Sequence, residues 1–511
     1  MKSSGLQVFA IFATLALAVA ERNVTSPLPF SNQNVSQLCL DGNPMLKNCT
    51  GKEIAGGRCN LNGCNHKSLF SPFLPMDIVA GVVIMVGCVF AVAGGIGGGG
   101  LFVPLLMLLQ SFDIHEAVPL SKVMIFAAAI VSFTSNVRKR NPHADRPLID
   151  LDCAIFLVPM TLAGTVLGTT MHIVTPAWLI GFLLIIVLGA TTHRTVQKGM
   201  KTFKTERTDA VPMTKKATSI STSTFEGSNN VELLAVGHSA MDSDTDTEWS
   251  EDEEDKVDAG EMEKRKMIRE IQEEEKKFNF KKFFAMWGIW AVLGASAIIR
   301  GGHGFSLLGI DPCSENGWVF YAFSIVPILF CITVCMVHGR HLARTYEKKQ
   351  QIGYPFAAGD FKWTRKSTLI YPWVAMVGGI FAGLLGLGGG MVIGPILLEL
   401  GGHPQVSSAV SAFTILFTAS ATTFQFLLLG VLEYDYALYY SIICAIAAVI
   451  GQKAVGVIIK KYKKVSIIVF CLAGVMGVSS LLIGGLDIYQ TIDDFKNNRS
   501  MGFQVEKLCL H

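Results

Sequence analysis

Apolar residues run along this chain in blocks long enough to cross a bilayer, and polar residues collect between the blocks. A membrane-spanning helix needs about 20 mostly apolar residues. Such stretches fall near 77–110, 117–136, 149–172, 177–193, 283–300, 318–338, 372–400, 405–431, 434–459 and 465–486. The pattern predicts an all-α polytopic membrane protein. Its expected order is a first membrane region over 77–193, a disordered acidic loop over 194–281, additional membrane helices over 282–338, a basic loop over 339–371, a second membrane region over 372–486 and a tail over 487–511. Within the first loop, Asp242 to Asp255 carries acidic but no basic residues, and Glu261 to Lys277 reads as a solvated charged helix.

The blocks at 77–110 and 372–400 are too long for one ordinary span, and glycine interrupts both. The first runs Met85-Val86-Gly87, then Phe90-Ala91, then Gly95-Ile96-Gly97-Gly98-Gly99, then Pro104. The second runs Met376-Val377-Gly378, then Phe381-Ala382, then Gly386-Leu387-Gly388-Gly389-Gly390, then Pro395. One constant offset aligns them, and one gap later Ser121 falls opposite Ser411. Identity at a fixed offset marks an internal duplication.

Charge placement orients the halves. If each glycine-broken block enters and returns, Arg138-Lys139-Arg140, the 194–281 loop, Arg340 to Lys366 and Lys460 to Lys464 all share one side. The positive-inside rule makes that side cytosolic. The two copies then begin from opposite sides, so the expectation is two inverted-topology repeats with discontinuous or re-entrant helices, a plan used by transporters.

Composition agrees. The chain of 511 residues is 50% hydrophobic and 16% charged, against about a quarter charged in soluble domains. Its mean hydropathy is +0.44. A net charge of +3, with no basic stripe, gives no case for nucleic-acid binding. Lys2, the apolar run Phe9 to Leu17 and Ala18-Val19-Ala20 fit a signal peptide over 1–20, a retained anchor helix being the alternative. The segment 21–76 then reads as lumenal or extracellular, with the amino terminus on that side and the protein in the secretory pathway, at the plasma membrane or an endomembrane. It carries glycosylation sequons at Asn23, Asn34 and Asn48. Cys39, Cys49, Cys59 and Cys64 suggest two disulfides with three possible pairings. The spacing lacks the paired Cys-x-x-Cys knuckles that a zinc site would use.

The chemistry resides in the breaks. Gly95-x-Gly97-x-x-Gly100 formally matches a dinucleotide fingerprint, but the context is a membrane segment and not a soluble βαβ unit. Glycine frees backbone groups from the helical ladder, and irregular backbone at membrane depth survives only when buried in protein or lining a wet cavity. A helix restarting after the break aims N–H groups and a positive dipole end into that cavity, which suits an anion. Close helix contact is the structural alternative. The candidate substrate-binding residues are Gly97, Gly98, Gly99, Ser121, Lys122, Gly388, Gly389, Gly390, Ser411 and Thr414. Lys122 is either a site charge or a lysine snorkelling to the interface. His115 and Glu116 fall in a short connector and are expected to be exposed. Glu399 is expected at a helix end.

Gly-x-Gly-Gly-Gly followed by proline, in two copies, resembles the TauE/SafE family of sulfite-exporter-like membrane proteins. Ser121-Lys122, Asn136-x-Arg138-x-Arg140-x-Pro142, Pro147 to Asp152 and Gly451-Gln452 resemble its eukaryotic branch. The resemblance covers roughly 77–193 and 283–486. It implies transport of small anions such as sulfite and sulfonates, coupled to an ion gradient. The reading is a secondary transporter of a small anion working by alternating access, with H+ or Na+ as coupling ion, the bilayer as its surroundings and no cofactor. A membrane adaptor or receptor, with a disulfide-bonded ectodomain and an acidic recruitment loop, is the alternative. No His-Glu-x-x-His, Gly-x-Ser-x-Gly or paired-Asp arrangement appears in the spans, so an enzyme is not expected.

Overall fold

The computed structural model describes residues 58–60, 63–65, 69, 75–93, 98–141 except 111, 144–209, 251–301, 317–462 except 358, and scattered positions between 470 and 503. The expected signal at 1–20, the sequons at Asn23, Asn34 and Asn48, Cys39, Cys49 and Gly97 lie outside the described residues. A short antiparallel pair, β1 (Arg58–Asn60) and β2 (Gly63–Asn65), sets Cys59 opposite Cys64 in backbone register.

The other named elements among the described residues are helices: α1 (Pro75–Ala93), α2 (Gly99–Gln110), α3 (Ile114–Asn136), α4 (Leu151–Val174), α5 (Ala177–Asp209), α6 (Glu251–Glu275), α7 (Phe280–Arg300), α8 (Gly317–Gln351), α9 (Arg365–Leu385), α10 (Gly390–Glu399), α11 (Pro404–Leu428) and α12 (Tyr434–Tyr462). Among the described residues, eight helices are long and apolar enough to cross a bilayer: α3, α4, α5, α7, α8, α9, α11 and α12. The protein is an all-α polytopic membrane protein. Each glycine-broken block is two shorter helices, α1–α2 and α9–α10, as the glycines predict.

Polar starts fix several helices. The Asp150 carboxylate accepts from the N–H groups of Asp152 and Cys153, Asn279 caps α7 and Thr364 caps α9. Two helices run further than the apolar pattern suggests. Helix α8 continues into the basic 339–371 segment because no proline or left-handed glycine intervenes before Gly353, whose φ is 71°. Helix α5 likewise extends to Asp209.

The centre of the bundle is α3, α4 and α11, whose spanning windows are mostly or wholly buried, while α5, α7 and α8 lie at the periphery. The outer faces are apolar: Ile78, Val79, Val82 and Val86 form an exposed stripe on α1, as Leu438, Ile442 and Ile446 do on α12. Lipid rather than water suits such stripes. Helix contacts follow an exchanging pattern. Helix α4 lies against α9 while α12 lies against α1, and α3 meets both α11 and α12. Helix α3 reaches one end of the bundle with its carboxyl end, where Arg140 Nη1 donates to the Lys276 carbonyl at 2.9 Å. Helix α11 starts from that same end, where His403 N–H donates to the Gly359 carbonyl at 3.0 Å.

That end carries an ionic cluster. Arg146 pairs with Asp360 and, at 3.6 Å, with Glu275. Lys349 reaches Glu275 at 2.5 Å and the Tyr354 hydroxyl donates to it at 2.9 Å. Burial works against the Arg146 charge, but Asp360, Asp150 and Glu275 together hold its pKa above the ordinary value. Burial and then Glu275 push the Tyr354 hydroxyl up. Three of the segments gathered here (around Arg140, the end of α6 and 352–364) belong to clusters that the charge pattern places on one side; 400–403 joins them.

The tightest contact is α4 on α9. Gly164-x-x-x-Gly168 faces Gly379-x-x-x-Gly383, and a Cβ on Gly164 would fall against the Met376 carbonyl, one on Gly379 against that of Thr161. Small residues at this spacing let helix backbones approach in a membrane. Gly168→Leu and Gly379→Leu should each lower the melting temperature of the detergent-purified protein by several degrees, since overpacking costs ~1–3 kcal/mol. Gly189→Leu, with nothing among the described residues within 4 Å of its Cβ position, should leave it unchanged. Equal shifts in all three would contradict this close approach.

Candidate functional site

The two glycine breaks meet in the middle of the bundle. A Cβ on Gly99, the first residue of α2, would collide with the Gly388 nitrogen, the Gly386 carbonyl and the Leu387 carbonyl carbon. Gly98 just before it has φ of 76°, and its carbonyl accepts from Leu101 N–H at 2.9 Å to start α2. Gly386 ends α9 in the left-handed region with φ of 71°. Gly389 leads into α10, its carbonyl accepting from Ile393 N–H at 3.1 Å.

A helix that stops at membrane depth leaves carbonyls without partners. At the end of α9 the first half of the chain supplies three. The His172 ring places Nδ1 2.9 Å from the Leu384 carbonyl. The Ser121 hydroxyl lies 3.2 Å from the Gly386 carbonyl and 2.7 Å from that of Val118. The Lys122 ammonium donates to the Leu387 carbonyl at 2.6 Å. A cation at a helix carboxyl end lies at the favourable pole of the dipole.

Lys122 does not snorkel: it is 1% exposed. Among the described residues no carboxylate pairs with it, and one of the three ammonium donors has a partner. Facing α10, Ser411 and Ser407 are buried, and among the described residues neither hydroxyl oxygen has a hydrogen-bond partner. A buried polar group without a partner costs ~1–3 kcal/mol, so such atoms mark places that a polar ligand or water can serve.

Gly98, Gly99, Gly388, Ser121 and Lys122 therefore come together at one junction. Gly389 and Gly390 continue it along α11, where a Cβ on Gly389 would lie 3.3 Å from the Thr418 hydroxyl and one on Gly390 3.4 Å from the Ser411 carbonyl. Ser411 lies on that face. Thr414 is turned to its own helix, its hydroxyl donating to the Val410 carbonyl at 3.0 Å. Glu399 is exposed at the end of α10. His115 and Glu116 are not in an exposed connector: both are half-buried in the first turn of α3, where the Glu116 carboxylate accepts the Asp113 N–H at 3.2 Å and so draws the connector into the helix start.

Three features escaped the sequence reading. His172 closes the apolar run 149–172 and received no assignment, yet it is buried against α9 and its ring meets that of His115 with centroids 5.0 Å apart. The Thr169 hydroxyl donates to the Gln425 side-chain carbonyl. Arg300, 4% exposed, reaches the Thr170 hydroxyl at 3.4 Å and stacks over the Phe320 ring. A histidine three and seven residues beyond Thr169 and Thr165, on one helix face, was the available signal.

Comparison with known proteins places this arrangement. The sulfite exporter TauE/SafE family profile matches residues 78–225 and 278–479, which hold both breaks and every spanning helix named above. The chain belongs to the TauE/SafE family. The TauE/SafE match bypasses α6 and the segment before α1. The chain is 30% identical over 434 residues to the sulfite exporter TauE/SafE family protein 3 of Arabidopsis thaliana, covering 85% of this chain and 83% of that one. It is 29% identical over 440 residues to family protein 2 of the same plant, covering 84% and 87%. No solved structure matches.

Lys122→Met keeps the side chain's bulk and removes its donors. It should destabilise the protein by ~1–3 kcal/mol through the orphaned Leu387 carbonyl, read as a lower melting temperature, while Lys122→Arg should recover part of the loss. A Lys122→Met protein as stable as the parent would show that this hydrogen bond contributes nothing.

Proposed function

We propose that this protein is a secondary transporter of a small oxyanion of the sulfite or organosulfonate class. Its site is the junction of the two glycine breaks. The observation that carries the reading is Lys122: a buried ammonium at the junction, with no carboxylate partner among the described residues. A charge at bilayer depth is costly and is functional by default, and a small anion there would complete it.

The remaining contacts are supplied by Ser121 and Ser411 hydroxyls and by N–H groups at the starts of α2 and α10 near Gly98, Gly99, Gly389 and Gly390. Gly388 belongs to the same junction through its contact with Gly99. Helix starts offer N–H donors and a favourable dipole to an anion, and a sulfur oxyanion has three oxygens to accept them. The relatives' printed names, sulfite exporter family proteins, support this substrate class.

The mechanism we propose is alternating access by an inverted pair. Helices α1–α3 and α9–α11 are the two moving units, rocking about the junction so that it opens to one side and then the other. The swapped contacts of α4 with α9 and α12 with α1, and the opposite directions of α3 and α11, favour this scheme. The ionic end of the bundle faces the cytosol, and the segment with Asn23, Asn34, Asn48 and the cysteine pairs faces the lumen or exterior.

The test is uptake of labelled sulfite into proteoliposomes containing the purified protein. The pair Gly98→Leu plus Gly389→Leu forces a side chain into the left-handed Gly98 position against the Phe102 ring and another toward Thr418. Uptake should fall about tenfold or more, equivalent to at least ~1.4 kcal/mol. Uptake unchanged in a folded double variant would remove the glycine junction as the site.

A further inference from the structure

Helices α4 and α7 run side by side in the same direction. Near their starts, Lys282 of α7 meets Asp152 of α4 at 2.5 Å; near their ends, Arg300 of α7 meets Thr170 of α4 at 3.4 Å, and each pair is 130 residues apart in sequence. The helix between the two pairs is about 27 Å long at 1.5 Å per residue, close to the ~30 Å of a hydrocarbon core. Lys282 belongs to the ionic end of the bundle, so Arg300 stands at the far end.

The two ends are built differently. Lys282 faces a carboxylate. Among the described residues Arg300 has none: Nη1 donates to the Thr170 hydroxyl oxygen, and the guanidinium lies over the Phe320 ring of α8, 5.4 Å from its centroid. The Thr170 hydroxyl gives its own proton to the Val166 carbonyl at 3.0 Å, which leaves its oxygen to accept from Arg300. A guanidinium carries five N–H donors. Nε is buried and has no acceptor among the described residues. Snorkelling does not describe this side chain, which is 4% exposed. The dipole of α7 favours a cation in its last turn, but it does so for an exposed one too and supplies nothing for Nε. The Phe320 contact likewise holds the charge without giving Nε an acceptor. An oxyanion supplies what is missing, because two of its oxygens match the guanidinium fork.

This cation is linked to the junction of the breaks. His172, two residues beyond Thr170 on α4, meets the Leu384 carbonyl, and Lys122 holds the Leu387 carbonyl three residues further on. Arg300 and Lys122 are thus connected through the last turn of α4 and the end of α9.

We propose that Arg300 is a second oxyanion-binding site, at the end of the bundle away from the ionic cluster, where the transported anion is held between the surrounding medium and the Lys122 junction. This rests on the anion reading of that junction. The anion accepts from Nε–H and Nη2–H, which share one edge of the guanidinium, while Nη1 stays on Thr170 and fixes the orientation of the fork. The Arg300 site offers fewer donors than the junction and is the weaker of the two.

The test is a titration of labelled sulfite onto the purified protein over a wide concentration range. The parent should bind in two steps, the tighter at the junction and the weaker at Arg300. In Arg300→Gln, which keeps a donor toward Thr170 and loses the charge, the weaker step should vanish. The tighter step should remain, and its presence shows that the variant is folded. Arg300→Lys keeps the charge and loses the fork, so its weaker step should persist with affinity lowered about tenfold, the loss of one charge-assisted hydrogen bond. It decides the matter should Arg300→Gln fail to fold, an unaltered weaker step counting against the site. A single step in the parent, or a weaker step that survives in folded Arg300→Gln, would overturn the second site and leave the anion reading standing. Absence of any saturable sulfite binding by the parent would instead remove the anion reading itself.

Discussion

Inside a bilayer every backbone polar group must find a partner within the protein. The glycine breaks release several such groups at mid-membrane, and the rest of the architecture answers to them. Helix α9 ends at Leu385, and the carbonyls around its end are met by His172, Ser121 and Lys122, all from the other half of the chain. That requirement brings α4 against α9 and α3 against the two residues that follow it, Gly386 and Leu387. The contact is close enough only because Gly164 and Gly168 face Gly379 and Gly383.

The duplicated framework carries unequal chemistry. Ser121 and Ser411 occupy matching places in the two halves, but the next residue is Lys122 in the first and Ala412 in the second. The cation therefore belongs to one half and caps the broken helix of the other. The second half keeps its own serine unpartnered at Ser411. An anion bound at the junction would touch both halves at once, and small relative movements of the halves would alter every one of its contacts.

Much of this was legible in the sequence. Apolar blocks of bilayer length, with glycines dividing the two longest, gave the spanning helices and both discontinuities. The charge clusters gathered the segments that do meet at one end of the bundle. The helix extensions of α5 and α8 were not legible from hydropathy, because a helix continues through polar residues until a breaker stops it, and Gly353 lies well past the apolar run. Lys122 could be flagged but not resolved, since burial and snorkelling differ in the third dimension alone. The spacing of His172 from Thr165 and Thr169 hinted at a buried face, but its meaning comes from two carbonyls, on α3 and α9, that only the folded chain sets beside its ring.

The central claim is that the Lys122 ammonium, buried where the breaks meet, is the positive charge that holds the anion. Equilibrium binding of labelled sulfite to purified protein tests it most directly. The parent protein should bind saturably, and folded Lys122→Met, isolated as a single species by size exclusion, should lose that binding. Equal affinity in the two proteins would contradict the account, leaving the glycine breaks as close helix contacts and placing the anion elsewhere.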